Sequence, residues 1–210
     1  MKPNTLIGLI NRRLRFFTDE HFSLRPTNPE ASHYVLTGTS SAYNRFPKRV
    51  EPVKVIKWFS NFWLFLEITF MKNETEGRSN EFQITISLSV FQGDDSDDEK
   101  CQLFRAEWDD YNNPDEKHAQ PHWHITSNQA IENAFEKYAG LDPKRDSENE
   151  SFLELLDDER KKVFDVKKIH FAMNADWQDR KAHTHKISGG EQIVHWLQGM
   201  LNCLRNELQG

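Results

Sequence analysis

Residues Cys101–Thr126, CQLFRAEWDDYNNPDEKHAQPHWHIT, decide how the rest of the chain is read. Side chains alternate faces along a strand. From Ala119 to Thr126 the odd positions Ala119, Pro121, Trp123 and Ile125 form one apolar face. The even positions Gln120, His122, His124 and Thr126 form a polar one. In the preceding segment Phe104, Ala106 and Trp108 share a face opposite Arg105, Glu107 and Asp109, with Gln102 out of phase. Two such strands joined by a polar loop predict an antiparallel hairpin whose apolar faces coincide. Arg105 and Glu107 are then expected beside His122 and His124.

The segments upstream extend this hairpin into a sheet. Phe82, Ile84, Ile86, Leu88 and Val90 alternate with Gln83, Thr85, Ser87 and Ser89, which predicts a strand with one buried and one wet face. Phe62–Met71 is apolar on both faces over most of its length, as expected of a central, covered strand. Polar turns at Lys72–Asn80 and Gly93–Lys100 join these strands into a meander over 62–126. His33–Thr37 is a short strand candidate, and Gly38–Pro52, with Pro47 and Pro52, reads as a loop. Val53–Phe59 fits either an extended segment or a short helix.

Helical periodicity appears on both sides of the meander. Asn4 is placed to cap a helix reaching about Phe16, with Leu6, Ile7, Ile10 and Leu14 inward. A second helix is expected after Ser127 or Asn128, with Ala130, Ile131, Ala134, Phe135 and Tyr138 inward. Phe152–Val163 reads as a short helix and Asp165–Met173 as a last strand. Ser188 and Glu191 form a capping box for a terminal helix carrying Ile193, Trp196, Leu197, Met200, Leu201, Leu204 and Leu208. The expected fold is therefore a single α+β domain over 1–210. It has an antiparallel sheet of about five strands covered by helices, mainly on one face, and a long C-terminal amphipathic helix. Its segments are a basic helix and loop (1–60), the meander (62–126), and a helical and final-strand segment (127–210).

Composition sets the remaining bounds. The 210 residues are 37% hydrophobic and 29% charged, with 15 Phe and 6 Trp, enough for one domain with a substantial core. The net charge of −6 argues against binding nucleic acid over the whole surface. Residues 1–60 nevertheless hold ten Lys/Arg against four Asp/Glu, or +6, leaving 17 against 29, or −12, for the rest. Arg12, Arg13, Arg15, Lys48 and Arg49 are accordingly the candidate contacts to a nucleic acid or an acidic partner. The longest apolar run, Phe62–Phe70, contains Glu67 and is too short to cross a membrane. No leader pattern is evident, and two cysteines without a CxxC pair fit a reducing cytosol, so a cytoplasmic location is expected.

His122 and His124 lie roughly 6–7 Å apart along one strand face by the rise per residue. They can hold a metal ion if a third ligand arrives, the candidates being His118, His170, His183, His185 and Glu107. The HExxH pattern is missing, and no metal or other cofactor is assigned from sequence. As a hydrolytic site, one histidine would act as general base and the other as general acid, with Arg105 stabilising charge on phosphorus. The acid-rich turn at Asp94, Asp95, Asp97, Asp98 and Glu99 lacks the spacing of a calcium loop. Trp196, Met200 and Leu204 are the positions expected to dock a protein partner.

Several short stretches resemble known families. Gln120–Thr126 resembles the alternating motif of histidine-triad nucleotide hydrolases, with Gln120 and Thr126 in place of its outer histidines. His124-Ile125-Thr126 resembles one half of the His-x-Thr pair of two-histidine phosphoesterases. Asp165-Val166-Lys167 resembles the carboxylate-x-Lys end of restriction-like nuclease motifs. More broadly, the Arg-x-acid strand and the Pro-His-x-His strand over Leu103–Ile125, with His170–Leu208 more loosely, resemble poorly characterised bacterial families, some from toxin–antitoxin or phage-defence loci. That resemblance implies an intracellular bacterial protein that works with partners. Two functions are expected from it and from the residues. One is an accessory subunit of a multi-protein defence or nucleic-acid-processing system. The other is a small toxin-like phosphodiesterase or nuclease using the His122/His124 face.

Overall fold

The fold is described from a computed structural model over residues 2–46, 49–72, 82–97, 99–110, 121–125, 187 and 189–209. The expected helices at 128–138 and 152–163, the strand at 165–173, and His118, His170, His183, His185, Lys48 and Ser188 lie outside the described residues.

The architecture is an antiparallel sheet with two helices. Helix α1 spans Pro3–Arg13. The strands are β1 (Leu24–Pro26), β2 (His33–Leu36), β3 (Ser40–Phe46), β4 (Arg49–Phe59), β5 (Phe62–Lys72), β6 (Phe82–Gln92), β7 (Cys101–Asp109) and β8 (His122–Ile125). Helix α2 spans Gly190–Gln209. The main path runs β1-β2-β5-β6-β7-β8, every pairing antiparallel. The expectation of about five strands is corrected to eight.

The strands missed upstream have a physical explanation. Gly38–Pro52 is not a loop: β3 and most of β4 pair from Ser40↔Val55 to Phe46↔Arg49 as a hairpin. Its inward residues in β3 include Ala42 and Asn44, which are small or polar, so no hydrophobic alternation marks the strand. Pro52 is tolerated in this hairpin opposite Tyr43, off the main path of the sheet. The C-terminal part of β4 then pairs with β5 through Ile56↔Leu64 and Lys57↔Trp63. Thus β4 leaves one layer and enters the other.

Strand β5 is central, as its two-sided apolar pattern predicts. Its even-numbered residues Phe62, Leu64, Leu66, Ile68 and Phe70 join one large core with Ile84, Ile86, Leu88 and Val90 of β6. Both helices cover this face. Leu6, Ile7, Ile10 and Leu14 enter the same core from the α1 segment, and Ile193, Leu197, Leu201 and Leu204 enter it from α2. The predicted cap of α1 is corrected. Lys2 holds the capping position without a side-chain bond, and Asn4 Oδ1 instead accepts from the Tyr34 hydroxyl at 2.8 Å.

The opposite face carries a second, smaller cluster of Ala42, Val55, Trp63, Phe65 and Phe91. The β3–β4 hairpin lies over it. Gly38 permits this crossing, because a Cβ there would sit 2.1 Å from the Val55 carbonyl oxygen. The hairpin is tied down by polar bonds. Asn44 Oδ1 accepts from Ser89 Oγ (2.9 Å) and Gln102 Nε2 (3.0 Å), and Gln102 Oε1 accepts from the Arg45 amide (2.7 Å). Ser87 and Ser89, expected on a wet face, are therefore buried.

The phase break at Gln102 is a β-bulge. Val90 pairs with Phe104 but Phe91 pairs with Gln102, leaving Leu103 as the extra residue. The bulge puts Gln102 on the same face as Arg105 and Glu107. Among the described residues, no helix is long and apolar enough to cross a membrane.

Candidate metal centre and active site

The register between β7 and β8 places Arg105 opposite His124 and Glu107 opposite His122. This is the pairing that strand parity predicts. On the other side of the same strands Ala106 pairs with Trp123, whose ring meets Phe104 edge-on at 5.7 Å and packs against the main core. Ile125 shares that side but is 51% exposed; among the described residues β8 is short and ends the sheet path. Its expected burial is corrected.

Glu107 is the hub. Its Oε1 lies 2.7 Å from Arg105 Nε. Its Oε2 lies 3.2 Å from His122 Nε2 and 2.9 Å from His124 Nε2. The two Nε2 atoms are themselves 3.1 Å apart. One carboxylate oxygen and two imidazole nitrogens therefore form a nearly equilateral triangle. All three side chains are partly exposed, His124 the most.

The electrostatics follow from these contacts. Burial pushes the Glu107 carboxyl up, but the bond with His122, the Arg105 charge and His124 together outweigh it and hold the pKa down to about 2. Glu107 is thus an ionised carboxylate at neutral pH. Two strands away, Glu67 behaves oppositely: burial raises its pKa, offset only in part by His33, whose Nε2 is 3.5 Å from Glu67 Oε2.

Arg105 has a different place from the one expected. It is 3% exposed. Its Nη1 donates to the Arg45 carbonyl at 2.6 Å, and its guanidinium lies 4.3 Å from the centroid of the Phe46 ring. Enclosed in this way, it braces Glu107 from beneath the partly exposed triangle. Phe46 and the Arg45 carbonyl are parts of the site that the sequence did not reveal. Both come from β3, whose strand pattern is hidden.

The other sequence candidates disperse. Arg49 lies near this site, its guanidinium 4.4 Å from the same Phe46 ring and its Nε 3.1 Å from Glu51. Arg12 and Arg13 sit in the last turn of α1, which packs on the opposite face of the sheet, and Arg15 lies just beyond it. Arg13 pairs there with Glu191 at 3.8 Å. Among the described residues, no single basic patch unites the set. On α2, Met200 and Leu204 are buried and Trp196 packs against the core. The apolar stripe of α2 thus faces the core of its own chain, with Trp196 partly exposed at its border.

Comparison of the chain with protein-family models, with curated proteins and with solved structures finds no match.

Proposed function

We propose that the chain is a small hydrolase acting on phosphodiesters, with Glu107, His122 and His124 as its reactive centre. The observation that carries this reading is the triangle. Three groups with proton-accepting lone pairs meet within 2.9–3.2 Å on a partly exposed surface. Such an arrangement can hold protons shared between the imidazoles and the carboxylate, or a metal ion. Perturbed, convergent groups of this kind are a mark of reactive sites. Arg49 and the Phe46 ring beside Arg105 supply a cationic, aromatic border suited to a nucleotide-like anion.

In the proton-holding form the chemistry balances simply. An imidazole takes a proton from water while the water oxygen bonds to phosphorus. The phosphorus–oxygen bond to the alcohol breaks, and the leaving alkoxide takes a proton from the second, protonated imidazole. Ionised Glu107 stabilises the imidazolium. A generic phosphodiester such as bis(p-nitrophenyl) phosphate, and single-stranded DNA and RNA, are the substrates to test. Turnover should fall at least about 100-fold in His122→Ala and in His124→Ala, the scale of a lost general acid or base. Intact, folded wild type that cleaves none of these substrates sinks the reading.

A second reading retains the accessory-subunit role in a bacterial defence or nucleic-acid-processing assembly. One observation favours it. Phe16 is 84% exposed beside Arg15, 5.4 Å from ring centroid to guanidinium, close to Arg12 and Arg13. That cluster, not α2, is the surface for an acidic partner or nucleic acid. Binding through it should weaken steeply with salt and with Arg12→Glu/Arg13→Glu.

A further inference from the structure

We infer that Glu107, His122 and His124 bind one divalent transition-metal ion through Oε2 and the two Nε2 atoms. The inference rests on the same reactive centre as the hydrolase reading and specifies which cation the triangle holds.

Donor spacing is the first argument. With metal–ligand bonds of about 2.1 Å, donors at 90° lie about 3.0 Å apart and donors at the tetrahedral angle about 3.4 Å apart. The three edges are 3.2, 2.9 and 3.1 Å. They match three adjacent corners of an octahedron, the arrangement of two histidines and one carboxylate on one face of an ion. The three atoms lie within hydrogen-bonding distance of one another, and the same spacing lets a single ion span all three.

The second argument is independent and lies behind the triangle. Metal-binding carboxylates are held by outer partners that fix the free oxygen. Arg105, buried and braced by the Arg45 carbonyl and the Phe46 ring, engages Glu107 through Oε1. That leaves Oε2 as the oxygen that meets both imidazoles. The guanidinium thereby favours one-oxygen binding without competing for the ion.

The third argument is ligand type. Two imidazoles and one carboxylate suit zinc, iron(II), cobalt(II) or manganese(II), whereas magnesium and calcium favour all-oxygen shells. The exposure of the three side chains leaves the outer corners of the ion open to water. Held by Glu107, His122 and His124, such an ion would supply Lewis-acid activation of a water molecule in place of an imidazole base.

The experiment uses the untagged full-length chain, stripped with chelator and titrated with zinc, manganese, cobalt and magnesium. One equivalent of zinc or cobalt should bind, with magnesium at least about tenfold weaker. The cobalt visible spectrum should be that of a five- or six-coordinate ion. Affinity should drop about 10–100-fold in Arg105→Met, the usual effect of losing an outer partner. It should drop further in His124→Ala or Glu107→Gln, and not at all in His33→Ala on the same sheet face. Zinc should raise the melting temperature of the wild type but not that of His124→Ala, so a weakened fold is not mistaken for lost ligation. No binding by the wild type, or equal binding by His124→Ala, overturns the metal centre. Hydrolysis that survives full chelation, yet is lost in the histidine variants, overturns the metal while the hydrolase reading stands. Metal bound as described with no turnover of any phosphodiester has the opposite meaning: the centre stands and the hydrolase reading falls.

Discussion

On the helix side of the sheet, β6 offers Ile84, Ile86, Leu88 and Val90 to a core built from both helices and five other strands, β1, β2, β4, β5 and β7. On the hairpin side the same strand offers Ser87 and Ser89, and the neighbouring strand offers Gln102, Arg105 and Glu107. Both sides are buried over much of their area, but they are held by different forces. The helix side is stabilised by non-directional apolar burial, which many side chains share. The hairpin side is held by directed bonds, Asn44 to Ser89 and Gln102, and Arg105 to the Arg45 carbonyl, each of which has one geometry. The layer is satisfied only in part, since Asn44 Nδ2 and Ser87 Oγ are buried without a hydrogen-bond partner among the described residues, but the bonds that it does make are directional. The helix side therefore sets how stable the protein is, and the hairpin side sets where the reactive groups stand.

The comparison is broken most forcefully from the helix side. Leu88 is buried opposite Leu66 and Ala106. Leu88→Ala should cost about 4 kcal/mol, within the usual range for a buried leucine, read by urea denaturation. Metal affinity at the triangle should be unchanged below the new midpoint, since Leu88 points away from it.

Gly38→Ala attacks the layer boundary. Its new Cβ would meet backbone, not a flexible side chain, so the hairpin must lift. A cost of about 3 kcal/mol is expected, the upper end of ordinary overpacking. Arg105 should lose its enclosure as well, so amide exchange at Ala42–Phe46 should quicken and metal affinity should fall together. A variant that is destabilised with β3 still protected would separate the hairpin from the site.

How much of this was legible follows from the same contrast. The apolar side is written in the sequence as alternation, so β5, β6, β7, the stripe of α2 and the pairing of Arg105 and Glu107 with the two histidines could all be read from parity. The hairpin side is not written that way. Ala42 and Asn44 give β3 no apolar rhythm, and Ser87 and Ser89 look like solvent-facing residues although they are buried. The bulge at Leu103 disguises Gln102. The terminal helix stripe was legible, but amphipathicity alone does not say whose core the apolar face enters. Phe46 and the Arg45 carbonyl could not be found at all, since their role depends on a long-range crossing at Gly38.

Arg105→Met sharpens the contrast within the polar side. The methionine keeps the apolar stem against Phe46 but removes the charge facing Glu107. Breaking a fully buried pair costs about 3–5 kcal/mol. Glu107 retains contact with water and with two histidines, so about 2 kcal/mol is expected here. Equilibrium denaturation at neutral pH measures it. A variant as stable as the wild type would mean that Arg105 serves the site alone and contributes nothing to holding the hairpin.

The smallest effect is carried by pH, at Glu67. This carboxylate shares the sheet face of Glu107, two strands away with Ser87 between them in register. Burial raises its pKa above the ordinary 4.5, and His33, Glu51 and Arg49 only modulate this. A group whose folded pKa lies above its unfolded value binds protons more tightly when folded. Its contribution to stability is complete below about pH 4.5 and is lost as pH rises through the folded value. Glu67→Gln keeps the shape and removes the titration. The variant should match the wild type near pH 4 and become the more stable of the two as pH rises above the folded value, with no sign reversal up to pH 8. Urea midpoints at half-unit pH steps would display the divergence. A glutamine variant that is instead less stable at pH 7 would show that the ion pair with His33 outweighs burial. Glu67 would then belong with Glu107 among the carboxylates that this face holds ionised by design of its partners, and the contrast between the two glutamates would collapse.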